Sequence, residues 1–233
     1  MPVVVENAEI AQPGFGDPRT YTLVMTPTTG NSLLVGVIES NGTEPVGVTD
    51  NASGGSNTYV EDHATTTDFR KFYRCQTIGN VPTTITIDFS GGAFPYVAVL
   101  EVSGLAASPV GNTTSDVVGT FDATVQTSAY TTSVDGELVF SLYDYAGASG
   151  DSAGTSGTTV LQVDTNESRG FLYKVVTTAE TGELNWTISA KTPTTSSVNY
   201  QPLAGGGGSQ VITRLAGPGG MVGPGGLVGP GLA

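Results

Sequence analysis

The chain has 233 residues, of which 38% are hydrophobic and only 12% are charged. Its 21 acidic and 8 basic residues give a formal net charge of −13, which argues against a surface that binds nucleic acid or an anionic membrane. The single cysteine, Cys75, rules out an internal disulfide framework, and no cluster of Cys and His predicts a metal site. We therefore expect no cofactor, no nucleic-acid partner and no membrane partner.

The N-terminal segment has neither the basic region nor the apolar region of a secretory signal. No apolar run in the sequence approaches the roughly 18 residues that a membrane span requires. If the sequence is complete, we expect the protein to be made and used without export.

Strand patterns extend along most of the chain, because runs rich in Val, Ile, Thr, Tyr and Phe are separated by clusters of Gly, Asn, Asp, Pro and Ser. Ile85, Ile87 and Phe89 alternate with polar residues, as in a strand with one buried face. Residues 96–100 are apolar at every position, which predicts a central strand. In chain order, strands are predicted at 21–26, 32–39, 68–76, 83–89, 96–102, 137–145, 158–164, 170–177 and 183–190.

Strands of this number and spacing predict an all-β fold. We expect an antiparallel β-sandwich, jelly-roll-like, that covers residues 1–203. The Gly/Ser-rich loops 51–57 and 146–157 are expected to be passive tips of this sandwich, with recognition loops as the alternative.

The chain changes character after residue 203. Residues 204–216 combine a run of glycines, typical of a flexible linker, with a short β-prone segment. Over residues 217–233, glycine recurs at every third position and proline at every sixth, which predicts a polyproline II-type arm. The predicted assembly residues of this arm are Gly217, Pro218, Gly220, Met221, Val222, Gly223, Pro224, Gly226, Leu227, Val228, Gly229 and Pro230.

The apolar residues of the arm indicate a partner. In a polyproline II helix, residues six apart lie on the same side, so Met221–Val222 and Leu227–Val228 would be stacked roughly 19 Å apart. A lone helix of this kind has no internal hydrogen bonds and gains order by packing against other chains. The alternatives are a tail without a partner and a collagen-like triple helix.

Catalytic patterns are weak in this sequence. His63 is the single histidine and follows Asp62 directly, but neighbours in sequence seldom form a catalytic triad, so we expect an exposed loop histidine. Glu101 interrupts an apolar run; burial could raise its pKa, and Glu39 or Glu137 would complete a glycosidase pair. The alternative for Glu101 is a carboxylate hydrogen-bonded to hydroxyls. We predict that the protein is not an enzyme.

Arg70, Lys71 and Arg74 form a basic strip on the predicted strand 68–76. On an acidic protein, this strip predicts a contact with the carboxylates of a neighbouring subunit. An intramolecular salt bridge and a solvated edge strand are the alternatives.

Two segments resemble a loosely defined group of bacterial and phage β-sandwich proteins. The first is Val48-Thr49-Asp50-Asn51, continued by Asn57-Thr58-Tyr59 and later by Phe72-Tyr73; it is similar to that group's "V-T-D-N-x-G-N-x-Y … Y-Y" segment. The second, Glu101-Val102-Ser103-Gly104, resembles the group's "E-Y-S-G" segment. The resemblance covers about residues 20 to 190 and implies a jelly-roll-like fold without catalytic residues. This chain departs from the pattern by an insertion between Asn51 and Asn57.

The Gly-Pro-Gly-Gly arm is also similar to the glycine-rich tails of phage structural proteins. Together these likenesses imply a structural component of a tailed-phage virion, such as a head decoration, fibre or tail-associated protein, made in the host cytoplasm. Its partners would be itself, in a homo-oligomer such as a trimer, and other virion or filament proteins. The alternatives are an extracellular filament or surface-layer subunit and a carbohydrate-binding adhesin domain, which needs exposed aromatic rings.

Overall fold

The computed structural model describes residues 1–39, 42–64, 69–118, 125–144, 158–161, 169–186 and 194–204. These residues form an all-β fold without a helix, and the linker and the glycine-rich arm lie outside them. The strands are β1 (Val4–Ala11), β2 (Arg19–Thr22), β3 (Ser32–Ile38), β4 (Pro45–Asp50), β5 (Tyr59–Ala64), β6 (Arg70–Cys75), β7 (Thr84–Phe89), β8 (Tyr96–Ser103), β9 (Leu105–Val118), β10 (Val125–Thr131), β11 (Leu138–Asp144), β12 (Thr159–Leu161), β13 (Arg169–Val175), β14 (Thr181–Trp186) and β15 (Thr194–Pro202).

Strands β1 to β8 form a first unit of two antiparallel sheets, residues 1–103. The larger sheet has the order β1-β8-β3-β6-β5 and the smaller one the order β2-β7-β4. The pairs are nested in the chain, because β1 pairs with β8, β2 with β7 and β3 with β6. An apolar cluster fills the space between the two sheets; its fully buried members include Leu33, Val35, Val37, Ile78, Ile85, Ile87, Val97 and Val99.

Strands β9 to β15 form a second unit, residues 105–203, that repeats this arrangement. Its larger sheet has the order β9-β15-β11-β13-β12, and β10 pairs with β14 in a smaller sheet. The nested pairs are β9 with β15, β10 with β14 and β11 with β13. The order therefore matches that of the first unit strand for strand, although β4 has no counterpart among the described strands.

The two five-stranded sheets pack face to face and enclose the central apolar cluster. β1 lies against β12, β5 against β9, and β3 against β11. If the two units are exchanged, β1 takes the place of β9 and β12 takes the place of β5, so the contact of β1 with β12 becomes the contact of β9 with β5. Strand order and packing therefore follow an approximate twofold axis. The cluster contains Val3, Leu34, Ile38, Phe72, Tyr96, Ala98, Leu100, Val102, Leu105, Leu138, Phe140, Leu142, Phe171, Val198 and Tyr200.

A third apolar cluster lies on the other side of the second unit, where its five-stranded sheet meets β10 and β14. It includes Val139, Tyr143, Leu172 and Leu184. The described sheets therefore stack in four layers, and both central sheets are buried on both faces. This double burial explains why every residue of β3 and β11 is buried.

The predicted alternation and the predicted central strand are both confirmed. Ile85, Ile87 and Phe89 are buried while the residues between them are half-buried. β8, which contains the apolar run 96–100, lies between β1 and β3 and is buried at those five positions.

Nine strands overlap the predicted ranges, whereas β1, β4, β5, β9, β10 and β15 have no counterpart among those ranges. β2 ends at Thr22 rather than at residue 26, because the Glu9 carboxylate accepts hydrogen bonds from the amides of Val24 and Met25. The ends of the predicted strands 137–145, 158–164 and 183–190, and the predicted loop 146–157, lie outside the described residues.

Gly36 sets the distance between the two units. A Cβ atom at this position of β3 would lie 2.5 Å from Cε1 of Phe171 and 3.0 Å from Cζ of Phe140. Both rings belong to the second unit, so the absence of a side chain at Gly36 lets them reach the backbone of β3.

We expect Gly36→Ala to lower the free energy of unfolding by about 1–3 kcal/mol, because the added methyl group overpacks the central cluster. Chemical denaturation of the purified full-length variant measures this change.

Gly47→Ala is the matched control. A Cβ atom at this strand glycine would meet no atom closer than Oδ2 of Asp88, 3.9 Å away. Alanine there should be neutral or slightly stabilising, because it only reduces the freedom of the unfolded chain. Equal effects of the two substitutions would contradict the close approach at Gly36.

Candidate functional site

Glu101 on β8 is completely buried, and both oxygens of its carboxylate accept hydrogen bonds. Its carboxylate accepts hydrogen bonds from the Asn7 side chain at 2.6 Å, the Thr28 amide at 2.7 Å and the Asn31 side chain at 2.7 Å. Burial alone raises the pKa of a carboxylate, but these hydrogen bonds outweigh it and hold the pKa of Glu101 below its usual value. The expectation of a raised pKa is therefore wrong; the partners are mainly amides, together with the Thr28 side-chain hydroxyl, which also lowers the pKa.

Glu39, a candidate partner of Glu101, lies at the other end of the sheet. It follows β3, is fully buried, and accepts hydrogen bonds from the amides of Thr43 at 3.2 Å and Phe94 at 3.0 Å. Glu101 lies opposite Leu33, six residues before Glu39, which puts the two acidic positions roughly 20 Å apart along the sheet. A glycosidase pair needs about 5–10 Å, so these two residues do not form one.

Glu137, the other candidate partner of Glu101, is hydrogen-bonded to the turn that precedes β11 in the second unit. It is buried, and its Oε1 atom accepts hydrogen bonds from the amides of Ser133 at 2.8 Å and Val134 at 3.0 Å. The Ser133 hydroxyl donates to the same oxygen at 2.7 Å. The three buried glutamates thus hold backbone amides of four separate loops.

His63 does not lie in an exposed loop, so that expectation is wrong. It belongs to β5, which pairs with β6, and it is half-buried. Its ring stacks on Phe72 with the ring centroids 6.2 Å apart.

Arg70 of the basic strip crosses from the first unit to the second. Its guanidinium group contacts Asp144 at the end of β11, with an Nη2–Oδ2 distance of 2.8 Å. Arg169 binds the other oxygen of Asp144 at 2.9 Å and lies over the ring of Tyr96, 5.0 Å from its centroid. Asp144 is only 5% exposed. This triad is a buried ionic link between the units.

Arg74 lies on the same face of β6 and pairs within the first unit. Its guanidinium group contacts Asp62 of β5 at 3.0 Å and donates to Gln76, whose side-chain amide donates to the carbonyl of Ala106 in the second unit at 2.9 Å. Burial and the neighbouring charge of Asp62 raise the pKa of Tyr200 on β15 well above its usual value.

Lys71 points to the opposite face of β6. Its ammonium group contacts Glu44 at 2.8 Å and Glu61 at 3.0 Å. Burial lowers the pKa of a lysine, but these two partners outweigh it and raise the pKa of Lys71. All three residues of the basic strip are therefore paired within the chain, as in the intramolecular alternative; their contact with a neighbouring subunit stays a prediction.

The first segment of the resemblance forms a polar hub. Asp50 accepts hydrogen bonds from the Asn57 amide at 3.2 Å, the Asn57 side chain at 2.7 Å and the Tyr59 hydroxyl at 3.0 Å. The Asn57 side-chain oxygen accepts from the amides of Gly79 and Asn80. The hub ties the loop after β4 to the loop before β7, so these motif residues have a structural role.

The second segment of the resemblance lies where the chain ends meet. Gly104 has a φ of +78°, and its carbonyl accepts a hydrogen bond from the Leu203 amide. The Val3 amide donates to the carbonyl of Gly136 at 2.9 Å, and the terminal amine of Met1 lies 3.3 Å from the carbonyl of Leu203. The N-terminus and Leu203, close to the end of the described chain, therefore share one end of the molecule, which we call the terminal pole.

Exposed aromatic rings, which a glycan-binding surface needs, occur at Phe15 and Phe94. Their centroids are 4.8 Å apart, and they are 58% and 41% exposed. Phe15 lies directly on the backbone, because a Cβ atom at Gly92 would be 2.4 Å from its ring. The pair lies on the first unit's surface.

Among the described residues, no group of three or more His, Cys, Asp and Glu side chains is placed to hold a metal ion. The part of the chain that the structure describes also has no helix long and apolar enough to cross a membrane. Cys75 is buried and free.

Asp144→Ala should lower the free energy of unfolding by about 3–5 kcal/mol, because it leaves Arg70 and Arg169 without their shared carboxylate in a buried site. Glu180→Ala is the control, since the Glu180–Lys174 pair is far more exposed and should contribute little. Thermal and chemical unfolding of both variants test this difference, and similar losses would show that the link between the units is dispensable.

Glu101→Ala should cost about 1–3 kcal/mol of stability, because it removes the shared acceptor of three part-buried hydrogen bonds. Glu101→Gln should cost less, since its oxygen still accepts from the Thr28 amide and the Asn7 amide can turn to pair with its nitrogen. Glu183→Ala, which changes an exposed glutamate, is the control for chemical denaturation.

The lowered pKa of Glu101 also predicts that the stability difference between the native chain and Glu101→Gln depends on pH. Because the folded pKa of Glu101 lies below the unfolded value, its contribution is present above about pH 4.3 and is lost as the pH falls through the folded pKa. The stability gap between the native chain and Glu101→Gln should therefore narrow below that pH. A gap that stays constant down to acid unfolding would contradict the lowered pKa.

Comparison of the chain with protein-family models, with curated proteins and with solved structures gave no match. The resemblance to bacterial and phage sandwich proteins therefore stays a prediction. The geometry itself assigns structural roles to residues that carry that resemblance, and it places Leu203, near the end of the described chain, at the terminal pole.

Proposed function

We propose that this protein is a non-enzymatic structural component of a virion, such as a head decoration, fibre or tail-associated protein. In this proposal each unit is a jelly roll, which the nested strand pairs support. The arm, residues 217–233, mediates oligomerisation or anchoring. Its partners are other copies of the chain, with a trimer as one arrangement, and other virion proteins.

The observation that carries the proposal is the place where the described part of the chain ends. Among the described residues, the three apolar clusters consist of residues before position 201. The chain then leaves the second unit at Leu203, beside the N-terminus. A repeat segment that leaves a rigid body at one end is well placed to bind a neighbour while the body keeps its shape.

The charge distribution supports the same role. Buried carboxylates of Glu39, Glu101 and Glu137 hold loops in place, and Asp144 joins the two units. The remaining excess of acidic residues contributes to a net charge of −13, which keeps crowded copies of a protein from aggregating. Association would then depend on specific contacts such as those of the arm.

Light scattering of the full-length protein and of a chain ended at Leu203 tests the proposal. We expect a defined oligomer for the full chain and a monomer for the shortened one, because the predicted apolar pairs of the arm drive association. A full-length variant with serine at Met221, Val222, Leu227 and Val228 should also be monomeric.

Val24→Ser combined with Val46→Ser is the matched control, since it removes exposed apolar side chains from the folded units and should leave the oligomer intact. If the full chain and the shortened chain have the same mass per particle, self-association through the arm is refuted.

A further inference from the structure

An apolar groove opens at the terminal pole between the two units. It has a volume of about 640 Å³ and lies between residues 1–5 and residues 173–177. Its walls include Val4, which is 45% exposed, and Val175, which is half-buried. Exposed apolar concavities of this kind mark sites where another segment binds.

The walls of the groove also offer backbone groups. β1 is an edge strand of its sheet. An extended segment beside β1 could therefore add hydrogen bonds to apolar contacts.

The chain leaves the folded units at the mouth of this groove. Leu203 and Ala204 line a smaller cavity of about 360 Å³ that shares Met1 and Asp135 with the groove. Twenty-nine residues follow Ala204 in the sequence, and they contain the two apolar pairs of the arm. The groove and the last described residues of the chain thus lie side by side in every copy.

The dimensions of the groove fit one apolar pair of the arm. The groove wall formed by residues 1–5, of which Val4 and Val5 belong to β1, is at most about 17 Å long in an extended conformation. At the rise predicted for the arm, its two apolar pairs recur about every 19 Å. One groove therefore accommodates one pair, and the other pair is left for a further contact.

We propose that the arm of one copy docks in the apolar groove of a neighbouring copy, with Leu227–Val228 against Val4 and Val175. The inference rests on the assembly role proposed above, to which it adds the receptor surface. Since each copy presents both the arm and the groove at the same pole, exchange between copies closes into a symmetric assembly.

Disulfide trapping between copies tests the docking. Chains with Val4→Cys and chains with Val228→Cys are co-expressed at full length and oxidised; Cys75 is 1% exposed and does not compete. We expect a disulfide-linked heterodimer on a non-reducing gel. Val46→Cys replaces Val4→Cys in the control, because Val46 is an equally accessible strand valine, 56% exposed, outside the groove.

Two results would overturn the docking. In the first, the Val4 and Val46 pairs yield equal amounts of heterodimer, or the Val4 pair yields none. In the second, a chain that carries both Val4→Cys and Val228→Cys forms its disulfide only within one chain. If light scattering still shows an arm-dependent oligomer in either case, the assembly role stands and only the groove is excluded as its receptor.

Discussion

The face-to-face packing of two five-stranded sheets is the constraint on which the rest of the structure depends. Because each of these sheets also carries a smaller sheet on its other face, its central strands are buried on both sides. Apolar residues therefore fill consecutive positions of β3, β8 and β11 rather than alternate ones. Gly36 follows from the same packing, as it allows the rings of Phe140 and Phe171 to approach the backbone. The charged residues at this interface are paired because an unpaired charge there would be costly.

The sequence predicted strands that have an apolar pattern, and it missed strands such as β15, whose buried residues include polar ones. β15 shows the reason: Ser196, Ser197 and Asn199 are buried there, and the Ser196 hydroxyl and the Asn199 side-chain nitrogen donate to the carbonyl groups of Thr114 and Thr131. Such partners lie more than 60 residues away, so a local reading takes the segment for a loop. The repetition of the strand order in the two units was equally invisible, because it appears in pairing and not in composition.

The residues of the candidate site were likewise predicted only in part. The sequence correctly singled out Glu101 and the basic strip as unusual, since a charge within an apolar or strand-forming run needs a partner. It could not identify the partners: Asn7 and Thr28 for Glu101, and Asp144 for Arg70, come from distant segments. The direction of the pKa shift at Glu101 depends on those partners, which is why burial alone gave the wrong sign.

The position of β15 has a mechanical consequence. β15 is the last described strand before the linker and the arm, and it lies between β11 and β9, with hydrogen bonds to both. A pull transmitted by the arm along this strand acts perpendicular to those hydrogen bonds, so it loads them all at once in shear. β1, an edge strand with a single neighbour, would instead be peeled away one bond at a time. The C-terminal strand of the described chain is therefore held more firmly against tension along its axis than β1 is.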